Sequence, residues 1–177
     1  MSQLKVVLVG LPGAGKSTFG RILAHELNVN FLDLDQLIEE KSEKKISDIF
    51  SEYGEGKFRD LETQALEEVM QSDESFVLAS GGGCPCFNDN MSLINQLGIS
   101  VYLDVPLEEV SSRLYHSKAS VRPMFEGMDA GEITLKLKNL IAQRGPFYEE
   151  AKIKLSGSDF SAEYFVSELI HQLKTQS

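Results

Sequence analysis

Gly10-Leu11-Pro12-Gly13-Ala14-Gly15-Lys16-Ser17 is the stretch that decides the fold of this chain. It fills every fixed place of the pattern G-x-x-x-x-G-K-[ST], a phosphate-binding loop. Leu4 to Val9 before it is a short apolar, β-branched run, and Lys16 to Leu27 after it has helical spacing, so strand, glycine turn and helix follow in order. Glycines let the backbone come close to an anion. Successive N–H groups, with the positive end of the helix, then surround phosphate oxygens. Residues Gly13, Ala14, Gly15, Lys16, Ser17 and Thr18 form the candidate cradle, in which Lys16 places a cation on the β and γ phosphates and the Ser17 hydroxyl joins a magnesium shell. The implied ligand is a nucleoside triphosphate with Mg²⁺.

Outward from the loop, apolar runs alternate with helical spacing. Strands are expected at Asn30 to Leu34, Ser75 to Ser80, Ile99 to Leu103 and Lys152 to Leu155. Residues 36–71 read as two or three helices with breaks near Ser47 and Gly54-Glu55-Gly56. Further helices are expected over 89–97, from Pro106, from Glu132 to Gln143 with an extension toward Glu150 interrupted at Gly145-Pro146, and from Ser161 to Lys174. In the long helix Leu135, Leu137, Leu140 and Ile141 form the expected buried stripe. Residues 116–131, with Arg122-Pro123, Gly127 and Gly131, read as a mobile loop. This alternation predicts a three-layer α/β/α fold around a parallel sheet, with ligands at the carboxyl ends of the strands.

The length of 177 residues suits one domain, residues 1–177. A formal charge of −10 disfavours nucleic acid and membrane surfaces as partners, so an anionic substrate must be held by local positive charge. No apolar run approaches membrane-spanning length, and Met1-Ser2-Gln3-Leu4 lacks the layout of a secretory signal; a cytosolic location is expected. Cys84 and Cys86 are the only cysteines, and reduced thiols are expected of them rather than a metal site or a disulfide.

Asp33-Leu34-Asp35 would project two carboxylates to one side if extended, one for the magnesium shell (Asp33, with Ser17) and one for a substrate hydroxyl (Asp35). Helix capping by Asp35 is the plainer reading, and the phosphate loop nearby favours function. Arg59 and Glu62 stand three apart on one helical face. They are either a surface ion pair or a guanidinium aimed at a substrate carboxylate and fixed by Glu62, and periodicity does not choose. Gly81-Gly82-Gly83 ends a strand where a ligand can lie against bare backbone. Arg122 and Arg144 are the remaining basic candidates.

With these pieces assembled, the chain resembles the shikimate kinase family over nearly its whole length. The likeness rests on Asp33-Leu34-Asp35, on the stretch from Phe50 to Glu62 that contains Gly54-Glu55-Gly56-Lys57-Phe58-Arg59, on Ser80-Gly81-Gly82-Gly83, on Arg122-Pro123, and on Arg144 four residues before Tyr148. The resemblance implies a five-stranded parallel sheet in the order 2-3-1-4-5 and transfer of the γ-phosphate of ATP to the 3-hydroxyl of shikimate. It further implies that Asp35 meets the ring hydroxyls as the base candidate and that Arg59 and Arg144 clamp the carboxylate. Gly82 would contact substrate through its backbone, Arg122 would close onto the phosphates from a lid at about 116–131, helices at about 34–62 would bind substrate, and the molecule would be a monomer. Where many members carry an adenine-stacking arginine this sequence has Tyr115, with Arg113 and Lys118 nearby, and Phe160 is the late-loop candidate for the base. A gluconate or nucleoside-monophosphate kinase is the nearest rival, followed by a non-catalytic nucleotide-binding module; the guanine motif and switch motif of a GTP-binding switch are absent.

Overall fold

The computed structural model describes residues 3–117, 123–157 and 162–175. Five strands, β1 (Lys5–Val9), β2 (Asn30–Asp33), β3 (Phe76–Ala79), β4 (Ile99–Asp104) and β5 (Ile153–Ser156), form one parallel sheet in the order β2-β3-β1-β4-β5. Between them run α1 (Lys16–Leu27), α2 (Leu34–Ser42), α3 (Ile46–Gln71), α4 (Asn90–Leu97), α5 (Leu107–His116) and α6 (Ala130–Tyr148), with α7 (Ala162–Thr175) last. Helices cover both faces of the sheet. Strand composition follows position: Val6 to Val9 and all of β3 are buried, as strands covered on both faces must be, whereas edge strand β5 alternates buried and exposed residues. No helix among the described residues is long and apolar enough to cross a membrane.

The break expected near Gly54 is present: inside α3 its φ of 80° and ψ of 175° leave the helical region, so two helical stretches meet there across a kink that glycine tolerates. Two other expectations need correction. Helix α6 continues through Gly145-Pro146 to Tyr148. A proline so near the end removes one donor, and Tyr148, wholly buried against Tyr102 of β4, anchors the last turn. Leu135 of that helix is 61% exposed; Ile133 and Leu137 are the residues that pack into the core, with Leu140 and Ile141 partly buried against it.

The register brings the strand ends to one level. Leu8 and Asp33 both pair with Ala79, and Ser80 prolongs the match, its N–H and hydroxyl both donating to the Leu8 carbonyl at 3.2 and 2.9 Å. The loop after β1, the carboxylates after β2 and the glycines after β3 therefore open onto the same edge. Chain order reverses around β1, which makes that edge the crevice where open α/β sheets bind ligands.

Candidate active site

Helix α1 starts at Gly15, whose φ of 91° is left-handed, and no side chain caps it. Its first N–H groups are thereby left to an anion. Lys16 lies across the loop, only 8% exposed, with Nζ donating to the carbonyls of Gly10 at 2.8 Å and Leu11 at 2.9 Å. A polar cavity of about 110 Å³ opens beside it. Gly15, Lys16, Ser17, Thr18, Asp33, Asp35 and Gly82 of the expected site all line this cavity, joined by Pro12, Ser80 and Gly81. Gly13 and Ala14 sit away from it: a Cβ on Gly13 would meet Leu114 at 2.9 Å, and Ala14 faces an apolar cavity with Leu103 and Val110.

The two aspartates are arranged differently from the extended pair that their spacing suggests. Leu34 already begins α2, and Asp33 rather than Asp35 caps it, its Oδ1 accepting from the N–H groups of Asp35 at 3.1 Å and Gln36 at 3.4 Å. The other oxygen of Asp33 accepts from the Ser17 hydroxyl at 2.9 Å. Asp35 lies in the first turn and still reaches the cavity. A hydroxyl beside a carboxylate is a hard-oxygen donor set that fits Mg²⁺. Among the described residues no cluster of three or more His, Cys, Asp or Glu side chains that could hold a metal ion occurs.

Arg59 and Arg144 are not among the residues that line this cavity; they stand beside it, against Gly83 and Gly82 of the glycine triplet. Arg59 is no surface residue: its side chain is 11% exposed and that of Glu62 only 1%. Its guanidinium donates to Glu62 Oε2 at 2.8 Å and from two nitrogens to Glu55 Oε1 at 3.1 and 3.3 Å, and it stacks on the Phe87 ring at 4.2 Å. Burial would lower the Arg59 pKa, but Glu62 and Glu55 outweigh it and hold the charge more firmly. For Glu62, burial dominates and raises the carboxyl above its usual range; nearby Asp35 adds to the rise, while Arg59 and Arg144 oppose it.

The glycine triplet is explained by what presses on it. A Cβ on Gly83 would fall 2.6 Å from an Arg59 nitrogen, one on Gly82 would fall 2.9 Å from Pro12 and 3.2 Å from an Arg144 nitrogen, and one on Gly81 would fall 2.9 Å from Glu62 Oε1 and 3.3 Å from Asp35. Each of these site groups thus lies against bare backbone. Tyr148, one turn after Arg144, donates its hydroxyl to the Gly82 carbonyl at 2.5 Å.

Beyond the triplet, Cys84 to Cys86 form a short 3₁₀ turn in which neither cysteine is in a disulfide. Burial raises both thiol pKa values, Cys86 to about 11 and Cys84 well above the ordinary thiol value, which favours the protonated form. Arg113 donates to the Ala14 carbonyl at 3.2 Å and pairs with Glu109, which ties α5 to the phosphate loop. Tyr115 is 54% exposed with its ring edge-on to His116. Arg122, Lys118 and Phe160 lie outside the described residues. The roles of Pro12 and Phe87 escape sequence reasoning because each depends on a neighbour distant in the chain.

A family model described as shikimate kinase matches residues 12–174. The chain belongs to the shikimate kinase family. It is 41% identical over 149 residues to the shikimate kinase of Azobacteroides pseudotrichonymphae, covering 84% of this chain and 87% of the relative. To that of Parabacteroides distasonis it is 38% identical over 169 residues, covering 96% of each. Among solved structures, the shikimate kinase of Bacteroides thetaiotaomicron superimposes with a TM-score of 0.91 at 36% identity, covering 97% of this chain and 98% of the other. The Acinetobacter baumannii shikimate kinase in complex with shikimate gives 0.88 at 33%, covering 99% and 96%. As a shikimate kinase, the chain is an ATP-dependent phosphotransferase with an alcohol acceptor.

Proposed function

We infer that this shikimate kinase transfers the γ-phosphoryl group of ATP to the 3-hydroxyl of shikimate, giving shikimate 3-phosphate and ADP. The observation that carries this reading is a cavity lined by the phosphate loop, Asp35 and Gly82, with two arginines set against the glycine triplet at its edge. The loop is a phosphate cradle, and the wall of Arg59 and Arg144 packed against Gly83 and Gly82 suits a carboxylate-bearing acceptor. The relative from Acinetobacter baumannii was solved with shikimate bound, which supports the same acceptor here.

In this reading Gly13 to Thr18 hold the triphosphate and Lys16 stabilises the transferred group. Arg59 and Arg144 fix the acceptor carboxylate, and the Gly82 backbone contacts the ring. Asp35 accepts the hydroxyl proton as the new O–P bond forms and the bond to the β-phosphate oxygen breaks. Phosphoryl transfer has a loose transition state, so holding the two oxygens in line matters more than proton removal. Ser17 and Asp33 would hold Mg²⁺, which would supply positive charge to offset that on the transferring phosphoryl group. By family resemblance Arg122 belongs to the same scheme, closing onto the phosphates from a lid at about 116–131, and helices at about 34–62 bind the acceptor. The whole is one kinase domain of residues 1–177, acting as a monomer in the cytosol.

An ADP-release assay with ATP, Mg²⁺ and a panel of acceptors tests the reading. Shikimate should give sustained turnover while gluconate and nucleoside monophosphates give little. A silent shikimate lane beside an active gluconate lane would overturn it.

A further inference from the structure

The Gly82 carbonyl points away from the cavity, into the interior, where it accepts from the hydroxyl of Tyr148 at 2.5 Å. Tyr148 has no exposed surface, and its ring is clamped against Tyr102 with centroids 5.2 Å apart. The Arg144 guanidinium lies beside the same hydroxyl, and one of its nitrogens is also 3.2 Å from where a Gly82 Cβ would stand. One phenol oxygen thus sits between the two acceptor-side groups, able to donate to the carbonyl while accepting from the guanidinium.

We propose that Tyr148 is a positioning residue of the acceptor site, whose buried hydroxyl sets the Gly82 peptide and the Arg144 guanidinium in register with each other. The proposal rests on the shikimate reading above. A peptide plane is rigid, so fixing the carbonyl of Gly82 also fixes the N–H of Gly83 on its other side, beside Arg59. Burial raises the phenol pKa, so it remains a proton donor throughout the working range of the enzyme. Arg144 and Tyr148 lie one helical turn apart, so the last turn of α6 carries both the ligand-facing cation and the group that holds it.

The test is Tyr148→Phe, which keeps the packed ring and deletes the hydroxyl, with Tyr102→Phe as control. The Tyr102 hydroxyl donates to Asp104, away from the acceptor wall. Steady-state constants for both substrates and the melting temperature are measured for wild type and both variants. Expected for Y148F is a rise in the shikimate KM of about five-fold or more, the effect of one hydrogen bond, with the ATP KM within about two-fold of wild type. Y102F should leave both constants unchanged. An unchanged shikimate KM in Y148F, or a parallel rise in both KM values that follows the loss of melting temperature, would overturn the proposal while leaving the acceptor assignment intact. A wild type without shikimate turnover would instead strike at the acceptor assignment itself, and this inference would fall with it.

Discussion

Glu62 shows how one residue is shaped by its burial. An i, i+3 pair with Arg59 would contribute little on a surface, but with side chains 11% and 1% exposed the balance changes, because taking two charges out of water costs more than an exposed pair returns. Burial lifts the Glu62 carboxyl above its usual range in spite of Arg59. The sign of the pH dependence follows. A carboxyl whose folded pKa exceeds its unfolded value contributes stability that is fully present below the unfolded value and is lost as pH rises through the folded one. Glu62→Gln cannot ionise and so escapes that loss. Measured by urea denaturation, the stability of Glu62→Gln relative to wild type should improve as pH rises above the unfolded carboxyl value of about 4 and level off once pH passes the raised folded value. A difference that stays constant over this range would mean that Glu62 titrates like an ordinary exposed glutamate. In activity the same substitution should raise the shikimate KM, since Arg59 would keep only Glu55 as an ionic partner.

At the scale of elements, the segment from β3 into the 3₁₀ turn at Cys84 decides the acceptor wall. Gly81, Gly82 and Gly83 are needed less for their own dihedrals than for the side chains that press on them. Gly83→Ala would place a methyl 2.6 to 2.9 Å from three atoms of the Arg59 guanidinium, which is held by Glu62, Glu55 and Phe87 and so cannot move aside without losing partners. The expected outcome is a shikimate KM at least about ten-fold higher with a nearly normal ATP KM, read by steady-state kinetics. Equal damage to both constants would place the effect in folding. This wall also marks what the sequence could and could not say. The phosphate loop is legible because its chemistry is local: eight consecutive residues supply the turn, the donors and the helix start. The strand ends are legible because buried parallel strands are continuous apolar runs. The geometry of Asp33 and Asp35 is not, because one residue of difference in where α2 begins turns an extended pair into a cap and a first-turn side chain. Whether Arg59 is solvated or buried, and why three glycines occur together, depend on contacts between α3, β3 and α6 that no local pattern encodes. The run of α6 through Pro146 is of the same kind, since burial of Tyr148 overrides a local helix-breaking signal.

For the whole molecule, the two halves of the site feed one sheet edge. The cradle hangs on β1 and α1; the acceptor wall is built from α3, β3 and α6. Each ligand should therefore stabilise the entire fold, and each should do so through its own wall. A ligand at about one hundred times its Kd adds about 2.7 kcal/mol, and each kcal/mol raises the melting temperature of a domain of this size by about 2–4 °C, so either substrate alone should raise it by about 5–10 °C. Two substitutions separate the walls. Lys16→Ala should lose most of the shift with ATP and Mg²⁺ while keeping that with shikimate. Arg59→Lys keeps a positive charge beside Glu62, so the buried carboxylate is not abandoned, but it gives up the planar fork that suits a carboxylate. It should keep the nucleotide shift and lose most of the shikimate shift, in a thermal melt with each ligand separately. Loss of both shifts in both variants would mean that the walls are not independent and that the site responds as a single unit to damage in either.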